Sequence, residues 1–232
     1  MSVERKLVIS LIKLTKNGPV LIESVNEEAR LPLVVTWELL EKLQNEDLVY
    51  LKSETIEAYS TSRLKLAIKA ASLGADVEQI SNLLRWQEFE EIAAYALKNN
   101  GYTVQNNVRF THEGKRWEID VVGCKKPLVI CIDCKHWQHA ISYSALRKMV
   151  DLQTQRTHAL ADSLPNVKLK LDCVKWERAK FIPAVLSLIP SAQKFCEKVP
   201  VVPVLQLQDF IYQLPAYTET LRVYLKNFKT LS

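Results

Sequence analysis

Five consecutive apolar residues, Leu128-Val129-Ile130-Cys131-Ile132, constrain the fold more than any other segment of the chain. They are set off by Cys124-Lys125-Lys126-Pro127 on one side and end in Asp133-Cys134-Lys135 on the other. A short apolar run bounded by a turn signal reads as a strand buried on both faces. Such a strand needs neighbours, and Tyr102 to Thr111 and Arg116 to Gly123 supply them, joined by turns at 112–115 and 124–127. A helix over about Ser142 to Ala161 follows, then an apolar strand from Phe181 to Ile189. Val199 to Leu205 leads into a last helix at Gln208 to Gln213. This order predicts an α/β domain with a mixed central sheet flanked by helices.

The N-terminal part has a different grain. Val3, Leu7, Leu11 and Leu14 recur at helical spacing, a second helix fits Leu21 to Arg30, and a third starts at Pro32 and runs to about Gln44. Leu48 to Lys52 and Thr55 to Tyr59 read as a hairpin. Three helices and a hairpin in about sixty residues resemble a winged helix-turn-helix. Its third helix offers Thr36, Glu38, Glu41, Lys42 and Gln44, few of them cationic, so reading DNA through it is no better supported than dimerisation or partner binding. A connecting helix with Arg63, Lys65 and Lys69 ends at Gly74. Asp76 and Gln79 then form a capping-box pattern for a helix over Val77 to Leu84 that is free to continue to Asn99. The expected organisation is 1–60 winged-helix-like, 61–84 helical connector and 85–232 catalytic-type domain.

With 232 residues, 48% hydrophobic and 25% charged, the chain is an ordinary globular sequence, and no stretch approaches the length of a membrane span. Five cysteines, an odd number scattered through apolar segments, point to reduced thiols and a cytoplasmic location. Residues 1–60 carry 7 Lys/Arg against 10 Asp/Glu, net −3, and residues 61–232 carry 24 against 16, net +8. A cationic surface of this size suits phosphate-bearing partners, though solvated lysines alone explain it equally well.

Strand alternation puts Asp133 and Lys135 on one face, and likewise Glu118 and Asp120. Two carboxylates on neighbouring strands can hold a hard divalent cation, and a lysine beside them can meet charge developing on a phosphate. For an isolated triplet, a salt bridge between Asp133 and Lys135 would be the default explanation, and Glu4-Arg5-Lys6 and Glu113-Gly114-Lys115 show how common the pattern is. Only Asp133-Cys134-Lys135 ends an apolar strand that follows an acidic one. On the helix before the sheet, Phe89, Ile92, Ala93, Ala96 and Leu97 form the apolar stripe, with Glu90 on one border and Glu88 on the other. Glu90 is the preferred third acid. Cys131, Cys134, His136 and His139 superficially offer a zinc set, but Cys131 and Cys134 alternate to opposite faces and no turn lies between them.

Taken together, Trp86-Gln87-Glu88-Phe89-Glu90, Asn100-Gly101-Tyr102, Glu118-Ile119-Asp120 and Asp133-Cys134-Lys135-His136-Trp137 resemble the PD-(D/E)XK nuclease superfamily, with Mrr-like restriction endonucleases and archaeal Holliday junction resolvases as the nearest flavour. The resemblance covers roughly Leu84 to Ala161 and implies a restriction-endonuclease-like core. It implies a nuclease, chiefly an endonuclease acting on DNA, with Mg²⁺ or Mn²⁺ held by Asp120 and Asp133 and supported by Glu90. By the same resemblance Lys135 orients the attacking water or stabilises the transition state. Gln153, ahead of Gln155, reaches back from the following helix, while Arg147, Lys148 and Arg156 are candidate phosphate contacts. Aspartate stands before x-Lys where many members have glutamate or glutamine, and no proline precedes Asp120. Trp137 is a candidate for base stacking, packing being the commoner role. Cutting both strands usually takes two sites, which suits a homodimer. The alternative is a DNA-binding or regulatory protein whose nuclease-like domain no longer cuts. The segment Lys168 to Lys180 carries no assignment.

Overall fold

The computed structural model describes residues 2–135, 141–165, 169–187 and 193–228. The chain divides into two compact units, residues 1–92 and 93–232.

In the first unit, α1 (Val3–Leu14) starts where the Ser2 hydroxyl accepts the Arg5 N–H, and it fully buries Leu7, Val8, Leu11 and Ile12. A 3-10 turn and Gly18, at φ 128, end it. Next come β1 (Val20–Leu21), α2 (Ile22–Ala29) and α3 (Leu33–Asn45), the last preceded by Pro32, whose fixed φ suits a helix entry. The strands β2 (Tyr50–Lys52) and β3 (Thr55–Glu57) join β1 in an antiparallel sheet of order β1-β3-β2. α4 (Ser60–Ser72) and α5 (Val77–Leu83) follow, and the Asp76 carboxylate accepts the Gln79 N–H at 2.8 Å as the capping pattern predicts.

The helix expected to continue to Asn99 breaks at Leu84-Arg85 and restarts as α6 (Trp86–Asn99). The reason is local: the Glu88 carboxylate accepts the Arg85 N–H at 2.7 Å, the reach-back half of a capping box, and this starts a new helix rather than extending the old one. Arg63 on α4, one of the three cations of the connecting helix, is 2% exposed. Its guanidinium donates to Glu88 Oε1 (2.6 Å), Thr15 Oγ1 (2.9 Å), the Leu83 carbonyl (2.8 Å) and the Ile12 carbonyl.

The second unit is built on β4 (Thr103–His112), β5 (Lys115–Lys125), β6 (Leu128–Lys135), α7 (Tyr143–Ser163), β7 (Arg178–Ser187), β8 (Phe195–Cys196), β9 (Val199–Pro203), α8 (Leu207–Tyr217) and β10 (Tyr224–Asn227). The seven-stranded sheet runs β4-β5-β6-β7-β9-β8, with β10 on β7. Its β6–β7 and β7–β9 ladders are parallel and the rest antiparallel. α7 makes the crossover between parallel β6 and β7, as such a connection requires. One sheet face packs Val122, Cys124, Val129, Cys131 and Phe181 against Leu160 and its neighbours on α7. On the other face Gly123 leaves room for Leu97 of α6. A Cβ there would stand 2.9 Å from Leu97 Cδ1 and 3.2 Å from Ile130 Cγ2. This mixed α/β architecture is the one the strand pattern predicts. All five cysteines are free and buried, and among the described residues no helix is long and apolar enough to cross a membrane.

Candidate active site

β6 carries Asp133 to the end of a strand that is buried along its whole length up to Lys135. Asp133 is 1% exposed, and a carboxylate withdrawn from water this far needs compensation of several kcal/mol. Two cations supply it. Arg156 NH1 donates to Asp133 Oδ1 at 2.5 Å and Lys135 Nζ at 3.0 Å; Lys135 Nζ also lies 2.9 Å from Oδ2. Oδ2 is buried and accepts no hydrogen bond, because that ammonium approaches it outside hydrogen-bond geometry. The ion pair expected of an isolated triplet is therefore present, and Arg156, foreseen as a phosphate contact, is part of it.

Asp120 lies 9% exposed on β5, and its Oδ2 accepts the Cys134 N–H at 2.7 Å. That bond sets the Asp120 carboxylate against the Asp133–Cys134 backbone. Both strand acids thus stand at one end of the β5–β6 pair. The ladder explains why the side chain is used this way: β5–β6 pairing begins only at Val121↔Ile132, so the Asp120 carboxylate takes the N–H just past the ladder's end. On the other side the β4–β5 register passes from Asn106↔Val121 to Val108↔Ile119, and Asn107 between them is left-handed at φ 52.

The expected sharing of a face by Glu118 and Asp120 does not survive this irregularity. Ile119 and Val122, three apart, enter the same apolar cluster under α7, so the alternation slips at Asp120 although the β4–β5 register is the same on either side. Glu118 goes to the surface and pairs with Arg109 at 3.1 Å. Asn106-Asn107, a residue type tolerant of left-handed φ inside a strand pattern, was the sequence signal for the slip.

The other candidate residues are distributed as follows. Glu90 is 8% exposed on α6, whereas Glu88 is bound to Arg63 and to the start of its own helix. Gln153 is fully buried on α7: its Nε2 donates to the Cys131 carbonyl at 2.8 Å, and its Oε1 has no hydrogen-bond partner. Gln155 is exposed. Arg147 pairs with Glu197 at 2.8 Å, and Lys148 is exposed. His136, Trp137 and His139 lie outside the described residues. Burial pushes the Cys131 thiol well above its ordinary pKa, which opposes the thiolate a zinc ligand must be.

Oxygen donors on two carboxylates suit a hard cation. Mg²⁺ in particular is commonly held by one or two carboxylates with water completing its shell. Asp133 Oδ2, buried and faced by the Lys135 ammonium at 2.9 Å, is an anionic oxygen that already attracts a cation. Among the described residues no group of three or more His, Cys, Asp or Glu is arranged to hold a metal, so the fit is to a two-carboxylate site.

Residues 81–161, the stretch holding both strand acids and α7, match the family model described as a restriction endonuclease. This stretch is therefore a restriction-endonuclease domain of the PD-(D/E)XK type. An uncharacterized protein of Archaeoglobus fulgidus is 29% identical over 136 residues, covering 58% of this chain and 95% of that protein. Among solved structures, protein VC1899 from Vibrio cholerae aligns over 94% of this chain and 52% of its own, at 11% identity and TM-score 0.42. Protein AF1548, of unknown function, aligns over 45% and 49% respectively, at 16% identity and TM-score 0.30. The chain thus spans about half the length of either solved structure, and the fold described above stands on its own topology.

Proposed function

We propose that the chain is a metal-dependent deoxyribonuclease that cuts DNA phosphodiester bonds internally, with Asp120 and Asp133 as ligands of Mg²⁺ or Mn²⁺. The observation that carries this reading is that Asp120 and Asp133 stand at one strand end, with Lys135 beside Asp133, inside a restriction-endonuclease-type domain. When bound, the metal neutralises charge on the phosphate and lowers the pKa of water. Lys135, 25% exposed, sits at the open edge of the pair, where its ammonium can hold the attacking water or meet charge on a non-bridging oxygen. Arg156 clamps Asp133 Oδ1, which fixes the carboxylate, and a metal cation would reach Oδ2 by displacing the Lys135 ammonium beside it. Gln153 acts as a positioning residue through Cys131, and Glu90 is the third acid on the family resemblance. The N-terminal unit is read as a winged-helix module on its sequence pattern.

The decisive experiment incubates the protein with plasmid, single-stranded and branched DNA in Mg²⁺ or Mn²⁺, beside Asp133→Ala and an EDTA control. Cleavage by the wild type, lost by on the order of 100-fold or more in the variant and abolished by chelation, is expected. No cleavage of any substrate by the wild type would make the domain a non-cutting DNA-binding module.

A further inference from the structure

We propose that a cationic, aromatic cavity beside Asp133 binds an unpaired nucleotide, so that the domain takes single-stranded or locally opened nucleic acid in preference to intact duplex. This rests on the nuclease reading for the identity of the ligand as nucleic acid and deepens it by naming the form.

The cavity, about 750 Å³, lies between the β4–β5 hairpin and α7. Arg109, Lys115, Arg116 and Arg156 line it, with Glu118 as the acid among the lining residues. Trp117 and Phe110, cross-strand partners in the ladder, bring aromatic surface to the same wall. Lys115 Nζ stands 3.7 Å from the centroid of the Trp117 ring, so cation and indole form one platform. The Trp117 indole N–H is buried without an acceptor. Arg156 belongs both to this wall and to the Asp133 carboxylate, which makes the cavity continuous with the proposed metal site.

Cations alternating with aromatic rings are the means by which proteins hold single strands: the charges take the backbone and the rings take base faces, which a duplex keeps stacked inside itself. The volume is that of a small-ligand site, suited to a nucleotide unit. A duplex could offer its phosphates to Arg109 and Arg116 but not a base to the cavity. Trp117 is half-buried, so its ring offers one exposed part to a base while the rest packs on the core.

The test measures binding rather than cleavage. Full-length protein in EDTA is titrated against a labelled single-stranded DNA oligonucleotide and against the duplex of the same sequence, at several salt concentrations. Lys115→Ala/Arg116→Ala, two changes at exposed hairpin positions, and Trp117→Phe, which retains a ring but removes the N–H, serve as variants. The single strand should bind about tenfold or more tighter than the duplex. The double variant should lose about tenfold in single-strand affinity and lower the log–log salt slope by roughly 1.4, about 0.7 for each phosphate contact removed. Trp117→Phe should lower single-strand affinity at an unchanged salt slope. Equal affinity for both forms, or a double variant with wild-type affinity and slope, overturns the proposal. Hairpin-dependent strand binding without cleavage of any substrate would sink the nuclease reading alone. Cleavage that favours duplex over single strand and is indifferent to the hairpin variants would sink this proposal alone.

Discussion

Asp133 and Gln153 are both buried polar residues on facing elements, and their unlike partners give them unlike roles. Each keeps one buried oxygen outside any hydrogen bond, but Asp133 is paired with two cations, whereas Gln153 spends its amide N–H on a strand carbonyl. Arg156 follows Gln153 by three residues, about one helical turn, so the Gln153 contact sets the depth at which Arg156 meets Asp133. Gln153→Ala should therefore destabilise the fold by about 1–3 kcal/mol in urea denaturation, as expected when a buried hydrogen-bonded pair loses a member. Cleavage measured well below the melting temperature should stay within about tenfold of wild type, since the residue acts through others. A loss as deep as that of Asp133→Ala at unchanged stability would put Gln153 at the reacting phosphate instead. The sequence made Asp120, Asp133 and Lys135 legible because strand setting separates them from the other acid-x-Lys triplets. It could not show that Arg156 closes on Asp133, because a helix arginine facing solvent and one facing a carboxylate look the same in one dimension.

Elements bounded by periodicity and turn residues came out of the sequence almost whole. α1, α3, α7 and the three meandering strands begin and end within a few residues of expectation. The short pieces β1, β8 and β10 did not, since two to four residues carry no period and owe their form to a partner strand elsewhere in the chain. Nor does the sequence of the connecting helix show which of its three cations is buried. Arg63 bonds to α1, to the end of α5 and to Glu88 in the first turn of α6, so one side chain holds several elements of the first unit. Removing one member of a buried ion pair leaves the other uncompensated, typically at about 3–5 kcal/mol. Arg63→Met should lower the unfolding free energy from urea denaturation by an amount in that range. In a Glu88→Gln background, where no buried charge is stranded, the same substitution should be markedly milder. Additive effects in that double-mutant cycle would show that the pair is not the source of the stability.

Across the whole chain the charge divides by unit: residues 1–92 carry 11 Lys/Arg against 15 Asp/Glu, net −4, and residues 93–232 carry 20 against 11, net +9. The exposed part of α3, where a winged-helix module would read a groove, presents Leu33, Val34 and Trp37 alongside Glu38 and Glu41. Acidic side chains there repel phosphate and apolar ones do not attract it, so the proposed DNA affinity is assigned to the second unit. Matched charge reversals separate the two units. Lys148→Glu on the exposed side of α7 should weaken non-specific DNA binding at low salt several-fold and flatten its salt dependence. Lys52→Glu on the β2–β3 hairpin, where Lys52 already faces Glu57 at 3.5 Å, should leave both within about twofold. Electrophoretic or anisotropy titrations from low to physiological salt give the comparison directly. Equal weakening by the two reversals would place the N-terminal unit on the DNA as well, and the acidic face of α3 would then have to lie away from the duplex.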